Sequence, residues 1–398
     1  MKKFILKNKN TILIILVLAT LIVNYIAIHY PILRNDDSVL YAIIAKNIVV
    51  NHDWINLTYN NKDWLDKPHL FFWIIAIFFK ILAINPYSYN LPGFLCNIIA
   101  AIYTYLFYKK LSPIKTNIQH FLVIFLLYIT TLHLFVSASI DIRAEAYLLA
   151  TMIPACYYWY LTYFNYKYLY HIAAIIFTAL GIMIKGVFLI VPVFSAIILE
   201  YLYHIFTIHI RQNKLSIKHI IKQEFWHISK KTIITILFIL IILSPELISL
   251  YLQFDIHPDK IIYNSKNVSG IKWFFLDSQF GRFFGNGPIH KNNNLDHYVF
   301  FIHTFLWSFL PWTFIFIVAL YKTIKAYKNH LNQQLQKYYN VSYRYLCFSF
   351  VPTFILFSLT SFQLDYYINI LLPFALIFIT LFIYRNNQID KYFLQIVY

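Results

Sequence analysis

Between residues 36 and 73 the chain reads DDSVLYAIIAKNIVVNHDWINLTYNNKDWLDKPHLFFW. Five carboxylates (Asp36, Asp37, Asp53, Asp63, Asp66) and the pair Lys67-Pro68 are packed there between two apolar runs. A positioned carboxylate can take a proton from an attacking hydroxyl. A lysine or arginine can hold an anionic group and stabilise charge developing on it. Asp36, Asp37, Asp141 and Glu145 abut the ends of apolar segments, where an unpaired carboxylate is costly. They stand apart from Asp53, Asp63, Asp255, Asp259 and Asp296, which read as ordinary loop polarity. Lys185 sits at the corner G-I-M-I-K-G (181–186), and Arg282 within S-Q-F-G-R-F-F-G (278–285). Each basic residue also has a plainer reading. Lys67 and Lys185 could be snorkelling cations, the former beside a first-turn proline, and Arg282 an interfacial anchor.

The rest of the chain must position these groups from within a membrane. Of its 398 residues 60% are hydrophobic and 12% charged, with mean hydropathy +0.61. Soluble domains carry about 25% charge. The net charge of +17 could suggest a nucleic-acid partner, but its distribution does not. The basic clusters around Lys109-Lys110, Lys167, Arg211–Lys231 and Lys322–Arg344 alternate with acidic segments, as the positive-inside rule requires. Apolar runs of span length are expected at 11–30, 90–108, 118–138, 146–165, 168–184, 187–207, 232–252, 297–321, 345–362 and 366–384. The run at 69–84 is short and carries Lys80. Were it to cross, Lys109, Lys110 and most later clusters would face outward. It is therefore expected to lie at the outer interface. Both termini are then cytoplasmic, and the long outer segments are 31–89 and 253–296. The sequence predicts one all-α polytopic membrane domain over 1–398, of about ten transmembrane helices, with interfacial helices in its outer loop.

Other chemistries find no support. There is no Gly-rich phosphate loop, no G-x-S-x-G and no H-E-x-x-H. Cys96, Cys156 and Cys347 fall in apolar runs and lack ligand spacing. His257, His290, His297 and His303 share the outer side without metal-ligand spacing.

The segments D-S-V-L-Y-A-I-I-A-K-N-I-V-V-N-H-D-W-I (37–55) and W-L-D-K-P-H-L-F-F-W (64–73) resemble the first outer loop of the bacterial aminoarabinose transferase and protein O-mannosyltransferase group. These are GT-C glycosyltransferases that use polyprenyl-phosphate sugars. Asp141 in S-I-D-I-R, the corner at 181–186, Arg282 and Tyr366-Tyr367 fit in order and spacing. The resemblance implies a GT-C-type fold, the bacterial inner membrane with the site on its outer face, and inverting transfer to lipid A or another envelope glycan. It implies Asp37 as the catalytic carboxylate with Asp141 beside it, and Lys67, Arg282 and Tyr367 on the lipid-linked phosphate, with Lys185 close by. Asp66 takes the place of a metal ligand, so a divalent metal is a candidate cofactor. A protein acceptor, or a lipid-linked-glycan flippase or transporter, stays open as an alternative. The sequence departs from the family pattern at Ser38 (usually Glu), His69 (usually a second Pro), Gln279 (a metal-binding His) and Gln363 (a Lys). The C-terminal soluble domain of many relatives has no expected counterpart.

Overall fold

The computed structural model describes residues 8–30, 36–212, 217–285, 288, 298–328 and 333–385. The first helix, α1 (Lys9–Ile28), precedes two shorter ones, α2 (Asp36–Val50) and α3 (His69–Leu82). Then come α4 (Pro86–Leu111), α5 (Ile118–Thr130), α6 (Ala144–Phe164), α7 (Tyr168–Lys185) and α8 (Ile190–Gln212). A long α9 (Ile217–Leu250) leads through an irregular segment to the short α10 (Ser278–Phe284). The chain continues with α11 (Phe300–Ser308), α12 (Thr313–Lys328), α13 (Gln333–Leu359) and α14 (Leu372–Arg385).

Among the described residues six helices can cross a membrane by length and composition, or eight if two bent pairs each count as one span. The expected spans at 118–138 and 297–321 are these bent pairs, broken by 71° and 114°. Pro311 lies in the second break, where a helix cannot continue through a proline without losing a backbone hydrogen bond. The expected span at 146–165 is α6. Tyrosines and a tryptophan dilute its apolarity, yet every residue from Ala144 to Cys156 is buried. A helix buried all round belongs at the centre of a bundle, and α6 packs against α4, α7 and α8. The last expected span is a short 3-10 turn, Asp365–Ile370, followed by α14.

The stretch at 69–84 is a 14-residue helix with one buried stripe, Phe71, Phe72, Ile75, Ala76 and Phe79, while Lys80 is exposed. At about 21 Å the helix is shorter than a bilayer's hydrocarbon core, and its exposed face carries Ile77, Ile81 and Leu82 beside Lys80. Tyr41 of α2 meets Phe71 and Phe72 edge-on, with ring centroids 5.1 and 5.7 Å apart, so α2 packs on α3. Helix α4 begins with an Asn85/Ser88 capping box and Pro86 at its first turn, and ends with Lys109 and Lys110. Near its start the Tyr89 hydroxyl donates to the Ile142 carbonyl. At 1.5 Å per residue, Lys109 and Lys110 lie about 30 Å further along the axis. The acidic end and this basic end are thus opposite ends of the bundle. The expectation about the two termini falls on residues 1–7 and 386–398, outside the described residues.

The two long acidic-side segments are stitched together. A small hairpin, β1 (Thr58–Tyr59) with β2 (Lys62–Asp63), turns at Asn60 and Asn61, both with positive φ. Such a turn suits the twist of paired strands. The buried Gln253 amide takes the Leu57 N–H at 3.1 Å and donates to the Leu57 carbonyl at 2.9 Å. Lys260 and Gln253 both donate to Asp63. Asp53 receives the N–H groups of Ile55 and Asn56. Partial burial opposes its ionisation, but the Asn56 and Ile55 hydrogen bonds and the Lys260 charge hold this carboxyl below its usual range. Asp255 receives Gly270 N–H and the Ser269 hydroxyl. Asp53, Asp63 and Asp255 therefore shape loops, as their plain reading held.

Candidate functional site

Helix starts bring the first carboxylates in. Asp37 opens α2, and Asp141 lies in the loop between the bent α5 segment and α6. The two are joined by Arg143. Its Nε and Nη2 donate to Asp141 Oδ2 at 2.9 and 2.7 Å, and its Nη1 donates to Asp37 Oδ2. A guanidinium offers a rigid fork of donors, so one arginine can hold two carboxylates in a fixed relation. It also offsets their mutual repulsion. Ser38 donates to Asp141 Oδ1. The Tyr366 hydroxyl donates to Asp37 Oδ2 at 3.4 Å, and the Arg143 guanidinium lies 4.7 Å above the Tyr366 ring. The side chain of Asp36 lies outside the described residues.

A second cluster holds the cations. Asp66 is gripped from both sides, with Lys67 Nζ 2.8 Å from Oδ2 and Arg282 Nη2 on Oδ1. Burial works against the Lys67 charge, but Tyr41, Tyr367, Tyr366 and Asp37 more than offset it and raise its pKa. Lys185, at the C-terminus of α7, pairs with Glu145 in the first turn of α6. Both are buried, at 4% and 1% exposure, where each ion needs the other. The ammonium also lies 4.5 Å from the Tyr367 ring and 5.4 Å from that of Tyr366. Gly186 allows the chain to turn here. Its φ is +103°, and a Cβ would stand 2.6 Å from Gln279 Nε2.

Two cavities meet at these cations. A small polar one is lined by Trp64, Asp66, Lys67, Trp273, Gln279 and Arg282, among others. The second, of about 410 Å³, is lined by Val187, Phe188, Val191, Phe283, Phe357 and Tyr367 among others. Lys185, Ser278, Gln279 and Arg282 belong to both. The larger cavity is apolar along its length and cationic at one end. Such a shape suits an amphiphile with an anionic head.

The structure thus brings Asp37 and Asp141 together, and Lys67, Asp66, Arg282, Lys185 and Tyr367 into an adjoining cluster. Sequence reasoning missed Arg143 as their link. Its signal was the carboxylate two residues earlier in S-I-D-I-R. Tyr366 reaches Asp37, while Tyr367 lines the apolar cavity. Every departure from the family pattern has an internal partner. Ser38 holds Asp141, and the buried Gln363 donates to the Phe357 and Ser358 carbonyls. Gln279 donates to the Ser278 hydroxyl at 2.8 Å. His69 bonds to Glu246 through its backbone N–H and Nδ1, both at 2.9 Å, and to the Ile55 carbonyl through Nε2.

The donor set around Asp66 does not fit a divalent cation. Two cations engage its oxygens, the Gln279 amide nitrogen faces Ser278, and both ring nitrogens of His69 are bonded. Among the described residues no group of three His, Cys, Asp or Glu side chains could hold a metal ion.

No family model matches the chain. A protein of Aquifex aeolicus (strain VF5), described as uncharacterized, is 25% identical over 187 residues, 47% of this chain and 35% of that protein. Two crystal structures of ArnT from Cupriavidus metallidurans superpose with TM-score 0.67. One is apo and the other bound to undecaprenyl phosphate. They are 14% and 15% identical to this chain, covering 95% and 94% of it and 60% of each ArnT chain. This chain therefore spans about a third of the Aquifex protein's length and 60% of ArnT's. The fold is the GT-C-type membrane fold of ArnT, as the resemblance at 37–55 and 64–73 implied.

Proposed function

We propose that the chain is a membrane glycosyltransferase that moves one sugar from a polyprenyl-phosphate donor to an envelope acceptor, at the outer face of a bacterial inner membrane. The observation that carries this reading is the junction of the two cavities. Lys185 and Arg282 line both the 410 Å³ apolar cavity and the small polar one, where Lys67 joins them, beside the carboxylates Asp37 and Asp141. The undecaprenyl phosphate bound by ArnT, a neighbour in fold, supports it.

The apolar cavity takes the isoprenoid tail and the cations take the phosphate. The acceptor oxygen bonds to the anomeric carbon as the bond from that carbon to the phosphate oxygen breaks. The electron pair of the broken bond leaves on the phosphate, which gains a negative charge. Lys67, Arg282 and Lys185 stabilise that charge as it forms. Asp37 receives the acceptor proton, and Arg143 and Asp141 hold Asp37 in place. Single displacement inverts the anomeric centre. Lipid A or another glycan is the preferred acceptor.

A transporter would need charges facing a pathway through the spans. Glu200, the clearest mid-span charge, is instead buried and paired with Arg344, whose Nε donates to it at 2.8 Å. Mass spectrometry of envelope lipids and glycans from a deletion strain tests the proposal. One glycoform lacking a single sugar is expected. An unchanged envelope, with the purified protein inactive on undecaprenyl-phosphate sugars, would overturn it.

A further inference from the structure

We propose that the phosphate end of this site works without a divalent metal, with the Arg282 guanidinium supplying the positive charge at Asp66. The inference rests on the donor reading above and deepens it. It starts from the polar atoms that line the small cavity. Among the described residues, Trp64 Nε1, Trp273 Nε1 and Arg282 Nε are buried without a hydrogen-bond partner. All three are N–H donors, and none can accept. Trp273 is 6% exposed and stacks on Tyr263, with centroids 4.9 Å apart, so its indole is held in place.

A cavity whose unpaired groups all donate selects an oxyanion and rejects a cation. The two carboxylates beside it are already engaged. Asp66 faces Lys67 and Arg282, and Glu246 takes the backbone N–H and ring of His69. A dication at Asp66 would also sit within hydrogen-bonding range of two unit positive charges. Arg282 needs no such ion. One edge of its fork is on Asp66, its Nε remains for a ligand, and the Phe362 ring lies 5.7 Å away. The Gln279 amide nitrogen is on the Ser278 hydroxyl, and Gly186 lies beside that amide. The pocket therefore receives the donor phosphate through N–H groups of Arg282, Trp64 and Trp273, with Lys67 beside them.

The test uses the full chain purified in lipid nanodiscs. Metal content is measured by mass spectrometry before and after EDTA, and binding of undecaprenyl phosphate by thermal shift and titration. We expect less than about a tenth of a metal ion per chain, and affinity unchanged within about twofold by EDTA. Trp64→Phe and Trp273→Phe should each weaken binding about tenfold or more, the worth of one hydrogen bond to a charged group. Their unliganded melting temperatures should stay near wild type. One equivalent of metal that disappears in Asp66→Asn would overturn the inference, as would a tenfold loss of affinity on chelation. Failure of the metal-free wild type to bind the lipid would instead sink the donor reading and the phosphate assignment with it. A bound metal in a chain that still binds the lipid sinks this inference alone.

Discussion

If Asp37 is the base proposed above, Asp37→Asn should separate catalysis from stability, because the two carboxylates are held unequally. The Asp37 side chain is 40% exposed and shares Arg143 with Asp141. Arg143 is 8% exposed and keeps two donors, Nε and Nη2, on Asp141 when Asp37 is neutral. An ion pair with one partner this exposed contributes at most about 1 kcal/mol, so the fold should survive with little change in melting temperature. Asparagine keeps the shape but cannot take a proton at physiological pH. Loss of a general base slows transfer by about 10²–10⁴. Asp141→Asn should behave differently. Asp141 is 16% exposed and holds Arg143 twice as well as Ser38. Losing charged hydrogen bonds there should cost about 1.5–3 kcal/mol of stability and lower turnover by displacing Arg143. The assay is single-turnover transfer from a purified polyprenyl-phosphate sugar, beside thermal unfolding of each variant, with Asp36→Asn as control. An Asp37→Asn enzyme within about threefold of wild type would refute the assignment. So would a dead Asp36→Asn beside an active Asp37→Asn.

Lys67→Ala should weaken donor binding about ten- to hundredfold, from the loss of one charged hydrogen bond, measured as affinity for undecaprenyl phosphate; unchanged affinity would remove Lys67 from the phosphate site. Glu246→Ala leaves the buried His69 ring and N–H without their acceptor, and breaking a buried pair this way should cost about 3–5 kcal/mol in denaturant unfolding, more than Glu246→Gln. Gly186→Ala combines a φ of +103° with a clash against Gln279; it should cost about 1–3 kcal/mol, read as a lowered melting temperature. Single cysteines placed at Lys110 and near Asp63 should be labelled from opposite sides of the membrane, and outer-side labelling at Lys110 would overturn the orientation read from charge.

The loop at 36–73 was legible because its polarity contrasts with everything around it. The helix at 69–84 was legible as a short separate element from its length and Lys80, and its place at the outer interface is an expectation from the charge pattern. What the sequence hid lies in contacts between distant segments. Arg143 reaches Asp37 across 106 positions and Asp66 reaches Arg282 across 216. A single sequence carries no sign of either pairing. The 114° break near Pro311 is hidden in a continuous apolar run, where a proline marks an interruption but not its angle. The division of contacts between Tyr366 and Tyr367 depends on a 3-10 turn, which moves neighbouring side chains away from their α-helical directions.

If the large apolar cavity holds the isoprenoid tail proposed above, it also changes what substrate concentration means for this protein. Ile190, Phe280 and Phe284, which line it, are 46%, 55% and 61% exposed, an apolar mouth suited to contact with acyl chains. An isoprenoid carrier would then arrive by lateral diffusion within the leaflet, in two dimensions. Its effective concentration would be a mole fraction among lipids, independent of aqueous volume. Adding inert detergent or phospholipid at fixed carrier should then slow the reaction by surface dilution. Diluting the whole suspension with buffer should leave the rate per protein unchanged.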